Sequence, residues 1–429
     1  MRRVATLLAG GVAARGALWV LFASTIANVF GYGYQVLMAR LLVPGDYAVL
    51  TALFGILILV SLGAQVIQSA TARLVAQYKA RGEEAALHVF VRRWTGRILI
   101  GASIPALIVV IGSPVIGPIL SLPVGSVALL GVALWLSAPF TFTGGLLQGL
   151  GYFGWFGWYF IAQAAGRFAI GVLLVEAGAG VGGAFVGAVA ALAAGLVLSL
   201  VPLRPLFRSA RGAVDEIALG AAETRFFLLA AVIMLAYAAL TNIDAIASRA
   251  LLPGGEAGAY AGAVTMAKVV LFAPIAVGFI LLERTARAHA RGEGTDRSLA
   301  LAVALVLATS GPVTLAYLVA PDFFTGLVVG SQYPLAARLI GPYAVAALLN
   351  ALLSLWIAHF IGRGEMRVGL LLALAVVAEL ALILATARDA EGLVHVVLGV
   401  AALTQLAAIA TYGWARSRRR VVPRQVVPS

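Results

Sequence analysis

The chain has 429 residues, of which 62% are hydrophobic and only 11% charged, a balance that excludes a water-soluble domain because too little polar surface is left to face water. The formal net charge of +13 raises nucleic acid as a partner, but in a lipid-dissolved chain basic residues first mark the cytoplasmic loops, so membrane lipid and no nucleic acid is the expected partner. Cysteine is absent, which excludes disulfides and thiolate metal sites. The four histidines show no metal-like spacing, so no metal and no cofactor is expected.

A spanning helix needs roughly 20 apolar residues, and the sequence supplies such stretches almost end to end. In chain order they predict helices over 16–38, 47–70, 98–119, 125–149, 155–175, 181–203, 226–248, 258–282, 299–319, 337–360, 368–386 and 392–412. The break at Gly151–Gly154 carries no charge, but a helix running through it would be far too long for a bilayer. Runs such as Leu299 to Val319 are apolar on every side, which excludes the alternation of a β-barrel. The expected class is therefore an all-α polytopic membrane protein with about 12 transmembrane helices.

Charge sets the orientation. Of the 30 basic residues, only Arg40, Arg249, Arg338 and Arg388 fall on one side, and Arg167 and Lys268 lie within helices. The rest share the other side, which the positive-inside rule makes cytoplasmic, with both termini there. The cluster Arg92, Arg93, Arg97 and the tail Arg416-Ser417-Arg418-Arg419-Arg420 then read as anchors against anionic headgroups. The setting is the cytoplasmic membrane.

An internal repeat appears at an offset of about 210 residues. Arg40-Leu41-Leu42-Val43-Pro44-Gly45-Asp46-Tyr47 is echoed by Ala250-Leu251-Leu252-Pro253-Gly254-Gly255 leading to Tyr260. Thr71-Ala72-Arg73 with Arg81-Gly82-Glu83 is echoed by Thr285-Ala286-Arg287 with Arg291-Gly292-Glu293. Six helices per repeat is an even number, so the expected arrangement is two six-helix bundles, 1–210 and 211–415, related by a pseudo-two-fold along the membrane normal, followed by a basic cytoplasmic tail, 416–429.

These motifs carry a resemblance that spans nearly the whole chain. The Asn-containing first helix ending Ala39-Arg40-Leu41-Leu42, Pro44-Gly45-Asp46-Tyr47, Thr71-Ala72-Arg73, Leu147-Gln148-Gly149, Asn242-Ile243-Asp244, Gly258-Ala259-Tyr260 and Gly330-Ser331-Gln332-Tyr333 come in an order that resembles the Wzx-type polysaccharide flippases. These belong to the superfamily of multidrug exporters and lipid II flippases. The resemblance implies two bundles around a central cavity and transport of a polyprenyl-diphosphate-linked oligosaccharide from the cytoplasmic to the outer leaflet by alternating access. It further implies glycan polymerase or glycosyltransferase partners. The clustered cavity arginines and extra helices of lipid II flippases are missing here, which favours the oligosaccharide branch.

A charge at mid-membrane costs several kcal/mol unless it faces a cavity or a partner. Arg167 is a candidate for binding a diphosphate, since its planar fork pairs with two oxygens; its alternative is an ion pair with Glu379. Lys268 offers a compact cation, with Asp244 as its alternative partner. Asp244 and Glu379 are candidates for carrying a coupling ion or for structural ion pairs. Asn28, Tyr32 and Gln35 follow one another along one face of the first helix, and Thr241 and Asp244 along one face of the seventh. With Gln163 and Asn350 they are the candidate polar wall for sugar hydroxyls.

No catalytic residues are expected. The outer loops are short and Asp46 has no second carboxylate nearby, so paired-acid chemistry has no home and an enzyme is excluded. The alternative is a cation-coupled multidrug exporter of the same superfamily. The first helix carries no acid, and two of the four mid-helix charges are basic, which suits an anionic substrate better than a cationic drug.

Overall fold

Along the helix Glu84–Ile119, the side chains of Ile100, Ile104, Ile111, Val115 and Ile119 share one face and are 60% to 75% exposed. In water such a stripe would drive aggregation; against lipid tails it is the ordinary outer wall of a spanning helix. The protein is an all-α, multi-pass membrane protein. Its computed structural model describes residues 2–208, 221–271, 277–278, 281–282, 284–285, 287–288, 291 and 295–421.

The α-helices are α1 (Arg2–Leu41), α2 (Pro44–Arg81), α3 (Glu84–Ile119), α4 (Val124–Leu150), α5 (Phe153–Leu174), α6 (Gly180–Arg208), α7 (Ala221–Leu240), α8 (Ile243–Leu251) and α9 (Gly254–Ala267), then α10 (Asp296–Val319), α11 (Pro321–Val328), α12 (Ala336–Gly362), α13 (Val368–Thr386) and α14 (Ala390–Val421). Among the described residues, nine stretches are long and apolar enough to span, or ten if the bent pair α7–α8 is one span. The shortfall from about twelve lies in two places. One of the nine is a 55-residue stretch, Phe153–Phe207; within it a π-helical turn over Val175–Ala179 and left-handed backbone at Gly178 and Gly180 separate α5 from α6. The expected helix over 258–282 ends as an α-helix at Ala267, tightens into a 3-10 turn over Lys268–Leu271, and then runs largely outside the described residues. The Gly292-Glu293 part of the repeat also lies outside them.

Contacts divide the chain into two compact units, Met1–Ala238 with Ala245–Ala261, and Ala239–Asp244 with Gly262–Ser429. In the first, α5 packs on α1 and α6, and α4 packs on α2, α3 and α6. Tyr78, Phe90, Phe142, Phe156 and Tyr159 fill its core, where the Phe140 and Tyr159 rings stack at 4.0 Å. The Tyr159 hydroxyl donates to the Phe140 carbonyl at 2.7 Å, giving a buried phenol the partner it needs. Trp155 and Trp158 of the same aromatic run stay 39% and 54% exposed, as residues of an interfacial belt do.

In the second unit α12 packs on α10, α11 and α14, and α13 packs on α14. The end of α9 is held by α10: Tyr317 donates to the Met266 carbonyl at 3.1 Å and Ser310 to the Val270 carbonyl at 2.8 Å. Carbonyls released where a helix breaks inside a membrane need such partners.

One helix in each unit ends in the same way. Gly151 after α4 and Gly364 after α12 both take left-handed backbone, with φ of 76° and 71°, and the next amide bonds back, Tyr152 to Leu147 and Glu365 to Phe360. These are glycine caps of Schellman type. In the first unit Lys79 adds a 2.6 Å bond to the Leu150 carbonyl, a cation at the negative end of the helix. Within the first unit the corners before α2 and α9 meet: a Cβ built on Gly254 would lie 3.4 Å from the Cα of Gly45. Asp46 and Glu256 occupy the first turns of α2 and α9, where acids complement the helix dipole.

Three local expectations are corrected. The long loop expected between 70 and 98 is helical almost throughout, because α2 runs to Arg81 and α3 starts at Glu84; charged residues there extend the helices beyond the apolar spans. The expected helix 226–248 is broken at Thr241–Asn242 and bends by 41°. The segment expected as a loop before 337 holds the short helix α11, started by Pro321 at its first position.

Candidate functional site

The first unit holds Arg167 on α5, one turn beyond Gln163. Its guanidinium carbon lies 5.3 Å from the ring centres of both Tyr34 and Phe54, so cation–π contact replaces a counter-ion. The cage is itself fixed: Tyr34 donates to the Ala184 carbonyl at 2.8 Å, and Tyr34, Phe54 and Phe185 meet edge to face at 6.0 and 5.8 Å. Gly31 leaves the space, since a Cβ there would come within 2.7 Å of Arg167 Nη2. Nε of Arg167 is buried with no hydrogen bond, and among the described residues no ion pair involves this arginine. A guanidinium held by π faces keeps donors for an anion.

On α1, Asn28 is exposed while Tyr32 and Gln35 are partly buried, and α1 packs on α5. Gln163 lies beside α6, where a Cβ on Gly195 would be 3.5 Å from its own Cβ. Tyr34 and Phe54, which hold the arginine, were not among the expected site residues. Tyr34 stands two residues from Tyr32 and so leaves the polar stripe; nothing in the sequence marks Phe54.

The second unit gathers acids. Asp244 is 1% exposed and accepts a 2.6 Å hydrogen bond from the Tyr343 hydroxyl. Glu379 on α13 is also 1% exposed, feels the charge of Asp244, and has Oε1 buried without a hydrogen bond. Thr241 sits at the helix break and accepts from Asn242 Nδ2 at 3.1 Å. The break places Asp244 in the first turn of α8, so the continuous face expected through Thr241 and Asp244 is interrupted. Discontinuous helices are where membrane carriers build ion and substrate sites. Asn350 on α12 is 6% exposed. Lys268 opens the 3-10 turn that follows α9. No group of three or more metal-ligating side chains occurs among the described residues.

No family model matches the chain, and no curated protein does. Solved structures do. An inward-facing multidrug resistance MATE family transporter of the MOP superfamily superposes with a TM-score of 0.68 at 16% identity, over 93% of this chain and 96% of that one. The chain shares the fold of that transporter. The lipid II flippase MurJ, in an inward closed conformation, matches with a TM-score of 0.67 at 9% identity, over 92% and 87%. A MOP superfamily transporter from Pyrococcus furiosus, described as having a binding pocket of reverse polarity, gives 0.58 at 16% over 95% of each chain. At these identities the likeness establishes a shared fold.

Proposed function

We propose that this MOP-fold protein is a flippase that carries a polyprenyl-diphosphate-linked oligosaccharide across the membrane by alternating access. The observation that carries the reading is Arg167, a permanent cation set on aromatic faces without a carboxylate partner among the described residues. A site for cationic drugs would place an acid there; a cation with a buried free Nε suits a diphosphate. Asn28, Tyr32, Gln35, Gln163, Thr241 and Asn350 serve the glycan's hydroxyls, and Lys268 supplies a second cation. Moving two negative charges outward gains roughly 2.3 kcal/mol each per 100 mV of inside-negative potential, so no nucleotide is required.

The second reading, a cation-coupled multidrug exporter, is favoured by the buried neighbours Asp244 and Glu379. Carboxylate oxygens gathered beside a helix break are the kind of donor set that takes a proton or a monovalent cation. In a flippase the same pair couples that ion to substrate movement.

The deciding experiment reconstitutes the protein in liposomes with a fluorescent polyprenyl-diphosphate disaccharide and measures the fraction moved to the opposite leaflet, beside ethidium uptake. Lipid movement that Arg167→Ala abolishes, with no ethidium transport, supports the flippase. Ethidium transport that Glu379→Gln abolishes, with immobile lipid, would establish the exporter.

A further inference from the structure

A cleft of about 540 Å³ opens on the first unit between α2, α3 and α7, within the range of about 300–1,000 Å³ typical of small-molecule sites. Its walls are mostly apolar, with Gly63 and Ile67 from α2 and Leu228 from α7, and its lining also includes Trp94, Arg97 and Thr224. Ile67 and Leu228 are 39% and 63% exposed, so the cleft is open and its walls are not part of the packed core.

Depth is set by α3. From Ile98 to Ile119 the helix rises about 33 Å at about 1.5 Å per residue, which fills a hydrocarbon core of about 30 Å. Arg97 therefore lies at the headgroup level, with its guanidinium carbon 5.1 Å from the Trp94 ring centre. Arg92, Arg93 and Arg225 are exposed on the same helix ends. The interface end of the cleft is cationic, and its far end enters the acyl region.

We propose that this cleft is a binding site for one anionic phospholipid, with an acyl chain along Gly63, Ile67 and Leu228 and the phosphate at Arg97. A zwitterionic lipid fills the same groove without the net charge that the arginines favour, each basic residue near the surface adding about 1 kcal/mol for anionic lipid. The site does not depend on the transport reading, because it is read by binding and not by substrate movement.

Gly63 provides the test. A Cβ at Gly63 meets nothing within 4 Å, so Gly63→Phe fills the groove without a clash at its root. Native mass spectrometry of the full chain, titrated with palmitoyl-oleoyl phosphatidylglycerol or the matching phosphatidylcholine, should show one retained phosphatidylglycerol with about tenfold preference. Gly63→Phe should lose it at an unchanged melting temperature, and Arg97→Gln should bind both lipids alike. If Gly63→Phe lowers the melting temperature, Leu228→Trp repeats the measurement from the opposite wall. Equal retention of the two lipids by the wild type, or full retention by both groove-filling variants, would overturn the assignment. So would undecaprenyl diphosphate displacing the phospholipid at equal concentration, which would make the groove the place of a substrate tail.

Discussion

Tyr343 on α12 donates a 2.6 Å hydrogen bond to Asp244, at the start of α8. The bond ties the broken end of one helix to the most buried helix of the second unit. Hydrogen bonds to charged groups contribute about 1.5–3 kcal/mol. Tyr343→Phe should therefore lower the melting temperature in detergent, whereas Tyr343→Phe combined with Asp244→Asn should recover part of the loss. Additive losses in the double variant would show that the bond does not hold the break.

Glu379 is the other acid of the pair. Because its Oε1 has no hydrogen-bond donor and no ion pair among the described residues involves it, Glu379→Gln keeps the shape of the side chain and strands no partner. Melting should stay level or rise, while the dependence of transport on external sodium or on a pH gradient disappears. A variant that transports with unchanged ion dependence would remove Glu379 from coupling.

At Gly31 a single methyl separates fold from function. Gly31→Ala places a Cβ 2.7 Å from the far end of the Arg167 side chain, which can swing away at small energetic cost, so expression and melting should be retained. Substrate movement should fall about tenfold or more, a loss of roughly 1.4 kcal/mol or more, and Arg167→Lys should behave alike because the planar fork is gone. Normal transport in both would show that the guanidinium position is irrelevant.

The corners at Gly45 and Gly254 can be joined. The chain has no cysteine, so Gly45→Cys with Gly254→Cys creates a lone pair at contact distance. Oxidation should cross-link them within the monomer and stop transport, with reductant restoring it. Transport that continues in the fully cross-linked protein would mean that the corners stay together throughout the cycle.

Gly258 tests the same contact by steric load. A Cβ there would fall 2.4 Å from the Pro44 carbonyl oxygen, a backbone atom that cannot turn aside. Gly258→Ala should cost about 1–3 kcal/mol, read as reduced melting temperature, whereas Gly255→Ala, whose Cβ meets nothing within 4 Å, should be neutral.

The sequence by itself determined the solvent, the all-helical class and most helix bounds, because burial of backbone polar groups in lipid leaves the helix as the local solution and hydropathy reads it directly. Val368–Thr386 was legible to the residue. So were the charges that stand inside spans, since charge is visible wherever the chain folds. Only the tertiary structure decided where helices break: the stop at Ala267 depends on Ser310 and Tyr317 of another helix accepting the task of bonding freed carbonyls. It also decided what surrounds each charge. Phe54 and Tyr34 are ordinary aromatic residues in the sequence and become the seat of Arg167 only because α1, α2 and α5 bring their faces together. Periodicity within one helix fixes a face, and the neighbour on that face is set by packing between segments far apart in the chain.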